Sequence, residues 1–104
     1  MRRPIIRSRR FTLSRKAIDD LTSMFRYIAT DDPVAARRLI DQIGKKIEQI
    51  ARSGFTGVNR SWLSPGLRAV IHKNRCIYFV VRDGELHVVR VLHASPEDFI
   101  ESNH

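Results

Sequence analysis

The 104-residue chain holds a single cysteine, Cys76. One thiol excludes an internal disulfide, and it cannot found a zinc site unless several histidines converge on it. No His-x-x-x-His or Cys-His spacing offers that convergence, so no metal or other cofactor is expected. Cys76 heads an apolar strand and reads as a small buried hydrophobe. Long apolar runs are lacking too: none approaches the roughly 20 residues that cross a bilayer, which argues against a membrane protein. The stretch Ser8-Arg9-Arg10-Phe11-Thr12-Leu13 echoes a twin-arginine export signal. The charged Ser14-Arg15-Lys16-Ala17-Ile18-Asp19-Asp20 stands where such a signal needs apolar residues, so a cytoplasmic protein is expected. Acidic residues are scarce, 11 against 19 Lys and Arg, for a net charge of +8. A field of that sign favours acidic partners, whether nucleic acid or protein. Internal repeats, low-complexity tracts and linkers are also missing. The length and the 42% hydrophobic content fit one domain, burying roughly 65% of its unfolded surface.

What is present organises itself around residues 66–93, GLRAVIHKNRCIYFVVRDGELHVVRVLH. Strands are expected over 67–72, 76–82 and 85–92. Lys73-Asn74 and Asp83-Gly84 are the tight turns between them, so the three are antiparallel neighbours. The middle strand is apolar on both sides, and alternation cannot say which face meets the rest of the chain. A sheet of this kind would keep apolar surface for a partner.

Upstream, Phe11-Thr12-Leu13 alternates like a short strand and is expected to join the sheet. Ser14 stands at an N-cap, and Ile18, Leu21, Phe25 and Ile28 recur at helical spacing for roughly 15 residues, with Asp19 and Asp20 loading the first turns with acid. Asp31-Asp32-Pro33 stops that helix and starts another, capped by Asp32. Its apolar stripe is Ala36, Leu39, Ile40, Ile43, Ile47 and Ile50, and Gly54 is its left-handed terminator. The two helices form a hairpin. Residues 54–66 read as loop, with Trp62 folding back onto the core and an exposed partner-binding anchor as the lesser alternative. The fold class is therefore α+β, ordered β-α-α-β-β-β, with a helical hairpin on one face of a small antiparallel sheet. Residues 1–10 form a basic arm, 11–95 the single domain and 96–104 a tail, with a short helix capped at Ser95 as one option.

Chemistry is thinly represented. His72, His87, His93 and His104 neighbour no serine or cysteine in a nucleophile motif, although His72 and His93, near the ends of outer strands, could approach one another. Arg68, Arg75 and Arg90 on the sheet could clamp phosphates or carboxylates in bidentate fashion. RNA cleavage by such a clamp also wants an acid and a base, and Tyr78, Glu97 and Asp98 are weak candidates. Surface arginines solvating a sheet are the simpler reading.

The order strand, two helices, three antiparallel strands resembles the ParE/RelE toxin superfamily, and several phrases strengthen the likeness. Leu13-Ser14 leading to Tyr27-Ile28-Ala29 is similar to the family's opening. Pro33 with Ala35-Ala36-Arg37-Arg38-Leu39-Ile40 resembles its second-helix signature. Gly66-Leu67-Arg68, Arg75-Cys76-Ile77-Tyr78-Phe79 and Val89-Arg90-Val91-Leu92-His93 are similar to phrases of the ParE branch. The likeness spans roughly residues 11–95. It implies a toxin of a type II toxin-antitoxin pair that binds and inhibits DNA gyrase without chemistry of its own. A cognate ParD-like antitoxin would neutralise it as a hetero-oligomer. The alternative is a RelE-like, ribosome-dependent mRNA endoribonuclease, with Arg68 and Arg75 at the phosphate and His93 carrying the proton. RelE-like members, and many ParE-like ones, place an arginine where this chain has Ala94-Ser95-Pro96-Glu97-Asp98, a departure from both branches that weakens the nuclease reading. Arg68, Arg75, Arg90 and His93 are thus candidates for target or phosphate binding. Leu21, Phe25, Ile28, Leu39, Ile43 and Tyr78 are candidates for an antitoxin groove. Direct nucleic-acid binding through the arginine-rich arm ranks below both.

Overall fold

A computed structural model describes residues 11–54 and 57–94. The basic arm and the tail with its expected cap at Ser95 lie outside those residues. Ser14 opens α1 (Arg15–Ala29) with an extended backbone, its Oγ accepting from the Ala17 N–H at 3.0 Å and so satisfying an end amide. Asp32 opens α2 (Pro33–Arg52) in the same way, accepting from the Ala35 N–H at 3.0 Å, with Pro33 in the first turn, where its missing N–H costs nothing. Gly54 follows the last turn at φ 95°, the left-handed conformation that ends a helix at little cost in glycine.

Three antiparallel strands form the centre of the sheet: β3 (Arg68–His72), β4 (Arg75–Arg82) and β5 (Glu85–His93). The Asp83-Gly84 turn has φ of 53° and 76°, the positive pair that matches a tight hairpin to the strands' twist. The sheet extends further than the sequence suggests. A two-residue strand, β2 (Val58–Asn59), pairs antiparallel with Arg68 and Ala69 inside the segment read as loop. At the other edge β1 (Phe11–Leu13) lies parallel to β5, giving five mixed strands in the order β1-β5-β4-β3-β2. Both helices and most of the sheet separate β1 from β5 in the chain, so no hairpin turn dictates their relative sense.

The core unites Ala17, Ile43, Ile47 and Ile50 from the helices with Ile77, Phe79, Leu86, Val88 and Val91 from the sheet. This resolves the ambiguity of β4: Ile77 and Phe79 meet the helices, and by alternation Cys76, Tyr78 and Val80 face away. That second face is less open than expected, since Ala69, Cys76 and Val80 are all buried.

Two further expectations are corrected. The apolar stripe of α1 is rotated by about one residue: Ala17 is buried and Leu21 and Met24 pack on the core, whereas Ile18 and Phe25 are exposed. The rotation brings Asp20 to the sheet, so Asp20 does not serve the helix dipole, and no acid occupies the first turn. Trp62 does not close the core but stands 70% exposed. Arg60 and Leu67 are buried at the base of its loop instead.

Candidate functional site

A β-bulge organises the outer edge of β5. Tyr78 pairs with Arg90 but the next residue, Phe79, pairs with Val88, so Val89 is the extra residue. β1 covers β5 only as far as Val88. Beyond it, the start of α1 takes over: the Ser14 N–H donates to the Val88 carbonyl at 2.9 Å and the Ser14 Oγ to the Val89 carbonyl at 2.8 Å. Two turns further along, the Asp20 carboxylate accepts the Val91 N–H at 2.9 Å and both Arg90 Nε and Nη2 at 2.8 Å. The Arg90 hydrogen bonds hold the Asp20 carboxyl below its ordinary 3.8, against the opposing effect of burial, and raise the Arg90 pKa in turn.

Asp20 forms one wall of a groove of about 350 Å³ between the second half of α1 and the end of the β4–β5 hairpin. Ser23, Met24, Tyr27 and Ile28 continue that wall, and Arg75, Val91, Leu92 and His93 line the other. Tyr27 is 83% exposed at the rim. Arg75 and His93 are ladder partners across β4 and β5. Arg75 Nε lies 3.2 Å from Met24 Sδ, a weak acceptor, and among the described residues no carboxylate pairs with Arg75. The groove therefore offers a guanidinium with unused donors between apolar walls, a setting suited to an amphipathic, acidic segment.

The expected site residues divide accordingly. Arg75, His93 and Ile28 come together in the groove, and Arg90 joins it through Asp20. Phe25 is exposed on α1 one residue beyond Met24, while Leu21 and Leu39 pack on the core and Ile43 is fully buried within it. Tyr78 lies on the other face of the sheet. Arg68 pairs with Phe79, four residues along β4 from Arg75, or about 13 Å at the rise of a strand. Its Nη2 donates to the Gly57 carbonyl at 3.1 Å, and its Nε is buried without an acceptor. The three sheet arginines thus do not converge. Nor do the two histidines meet: Arg75 lies opposite both His72 and His93, so β4 separates them by about 10 Å, two strand spacings. His72 Nε2 is buried without a partner, and burial, with Lys46 and Lys73 nearby, lowers its pKa below 6.5.

Asp20, Ser23, Met24, Tyr27, Val91 and Leu92 are the groove residues that sequence reasoning missed. A signal existed for the first: Asp20 lies three residues after Ala17 and four before Met24, on the buried side of the helix, where a carboxylate requires a partner. Among the described residues no group of three or more His, Cys, Asp and Glu could hold a metal ion, and no helix is long and apolar enough to cross a membrane.

Residues 11–97 match the family model described as ParE toxin of type II toxin-antitoxin system, parDE. Among solved structures the chain is similar to one described as the chromosomal ParDE TA system from P. aeruginosa, with a TM-score of 0.69 and 20% identity. That likeness covers 82% of this chain and 95% of the other, and at such identity it speaks to the fold alone. No curated protein matches the chain in sequence.

Proposed function

This chain belongs to the ParE toxin family of type II toxin-antitoxin systems, and from that membership we propose that it acts by binding DNA gyrase and is silenced by a ParD-like antitoxin seated in the α1–β5 groove. The family match over residues 11–97 carries this reading. The groove supports it: apolar walls accept the greasy face of an amphipathic segment, and Arg75 accepts its acid. Inhibition without catalysis accords with arginines that are spread along the sheet and individually engaged, Arg90 with Asp20 and Arg68 with Gly57. A net charge of +8 speeds capture of an acidic partner. Purified protein is expected to inhibit gyrase supercoiling, or to provoke gyrase-dependent DNA breaks, and to lose that effect when the antitoxin is added. No inhibition at stoichiometric excess over gyrase would count decisively against the proposal.

One observation favours ribosome-dependent mRNA cleavage instead, the juxtaposition of Arg75 and His93 in the groove. The separation of Arg68 from that pair deprives it of the expected phosphate clamp. Primer extension on translated mRNA after induction decides between the two readings, since new cut sites appear only under the nuclease.

A further inference from the structure

The face of the sheet turned away from the helices is buried, although neither helix lies on it. The Arg60 N–H donates to the Leu67 carbonyl at 2.8 Å, continuing the β2–β3 register, so by alternation Arg60 and Leu67 share a row of that face with Val80. Ala69 shares the next row with Tyr78, and Cys76 lies in the row after. Arg60 is 2% exposed and Cys76 0%, and Leu67, Ala69 and Val80 are buried with them. The helices pack on the opposite side, against Ile77, Phe79 and Val88. An uncovered sheet keeps one face to water, so this face has a cover that α1 and α2 do not provide.

The burial of Arg60 says what chemistry the cover carries. A guanidinium taken out of water is best answered by a carboxylate, yet no Asp or Glu occurs in these three rows or in the loop 61–66. Two segments flank the described domain. Residues 1–10 bring five arginines and no acid, which would set cation against cation. Residues 95–104 carry Glu97, Asp98 and Glu101 and no Lys or Arg, with the apolar pair Phe99-Ile100 between the acids. They also start in the right place: the Ala94 N–H donates to the Asn74 carbonyl at 2.8 Å, and Leu92, two residues back, pairs with Cys76. Arg60 lies three strand spacings across and four residues along from Leu92, about 20 Å. The chain from Leu92 to Glu101 spans up to roughly 30 Å when extended, so the tail can reach it. We propose that residues 95–104 lie across this face, with Phe99 and Ile100 covering Cys76 and Tyr78 and the tail's carboxylates meeting Arg60. The chain thereby supplies its own acidic, amphipathic ligand to the apolar surface that the sequence offered to a partner. A partner that uses this face must first displace the tail. The inference does not depend on the gyrase reading.

The test uses the chain's one thiol, Cys76, as its reporter, because that thiol lies beneath the proposed cover. The full-length protein and its Phe99→Ser/Ile100→Ser variant are reacted with a chromogenic disulfide reagent under native conditions, and circular dichroism checks that both unfold cooperatively. The variant is expected to react at least about tenfold faster, since loss of two apolar side chains favours local opening of the tail. Equal rates would overturn the proposal. So would a rise on deleting residues 1–10 with none in the tail variant, which would assign the cover to the arm. Replacing Glu97, Asp98 and Glu101 together with glutamine is expected to speed the reaction several-fold, and an unchanged rate would refute the pairing with Arg60. A second measurement needs no substitution: in the wild-type chain, nuclear Overhauser contacts are expected between the Phe99 ring and the side chains of Cys76 or Tyr78. Their absence would overturn the proposal even where the variant fails to fold.

Discussion

Asp20→Ala removes the acceptor of three hydrogen bonds at once, and the structure says which of them matters for stability. Arg90 keeps 40% of its side-chain surface exposed, so water replaces most of what its guanidinium loses. The Val91 N–H has no such recourse, because Val91 is buried and Asp20 is its acceptor. Leaving that donor unsatisfied costs about 1–3 kcal/mol. For a domain of this size the loss lowers Tm by about 5–20 °C. The pH dependence adds a second signature. The folded carboxyl titrates below its ordinary 3.8, so its contribution is fully present above that value and is lost as pH falls through the depressed pKa. Thermal unfolding followed by circular dichroism should therefore separate wild type and Asp20→Ala widely at pH 7 and progressively less as pH falls below 3.8. Asp20→Asn, which does not titrate, should lack the wild type's decline across the acid window. Raised salt should leave most of the gap at pH 7, because a backbone hydrogen bond is not screened as an exposed ion pair is. A pH 7 difference below about 2 °C, or one abolished by salt, would show that α1 is not fastened to β5 through the Val91 amide.

Gly57→Ala should cost about 1–3 kcal/mol in denaturant unfolding, the range for an overpacked site. An added Cβ would lie 2.9 Å from the Ala69 carbonyl oxygen and 3.2 Å from the Phe79 ring; unchanged stability would mean that β2 yields without resistance. His72 is held neutral by burial, with a folded pKa below 6.5. Its contribution is present above pH 6.5 and lost as pH falls through the lowered value, so the Tm of His72→Gln should fall less between pH 7 and pH 5 than that of the wild type. Arg75→Glu places like charge against an acidic segment and should weaken antitoxin binding by at least about tenfold, or roughly 1.4 kcal/mol, with Tm nearly unchanged. Calorimetry showing full affinity would remove Arg75 from the interface.

The parts of this fold that were legible in the sequence are those written in local chemistry. Ser14, Asp32 with Pro33, Gly54 and Asp83-Gly84 each mark a boundary through their own backbone or capping preference, and each boundary stands in the structure. The apolar stripe of α2 was legible for a similar reason, because Ala36, Ile43, Ile47 and Ile50 overdetermine the buried face. On α1 the spacing Ile18-Leu21-Phe25-Ile28 and the spacing Ala17-Leu21-Met24-Ile28 are equally helical. Only contact with β5 selects the second, since it alone brings Asp20 to the Val91 amide. The parallel pairing of β1 and the bulge at Val89 are of the same kind. Each is fixed by a partner distant in the chain, and no window of neighbouring residues contains it.

The candidate site was half legible on the same principle. Arginines and histidines on strands announce charge, but whether they act together depends on register. One β4 residue, Arg75, sits opposite His93, and four residues along the same strand Phe79 sits opposite Arg68. Register thus assembles one basic pair in the groove and sends the third cation to the far end of the sheet. The bulge then turns Arg90 to Asp20, and with Ser14 this closes the backbone of β5 from Val88 to Val91 to any strand that might add there. A partner that paired with this stretch of edge would first have to displace a carboxylate and a hydroxyl from good hydrogen bonds. What this end of the sheet leaves open is therefore made of side chains, the groove walls around Arg75.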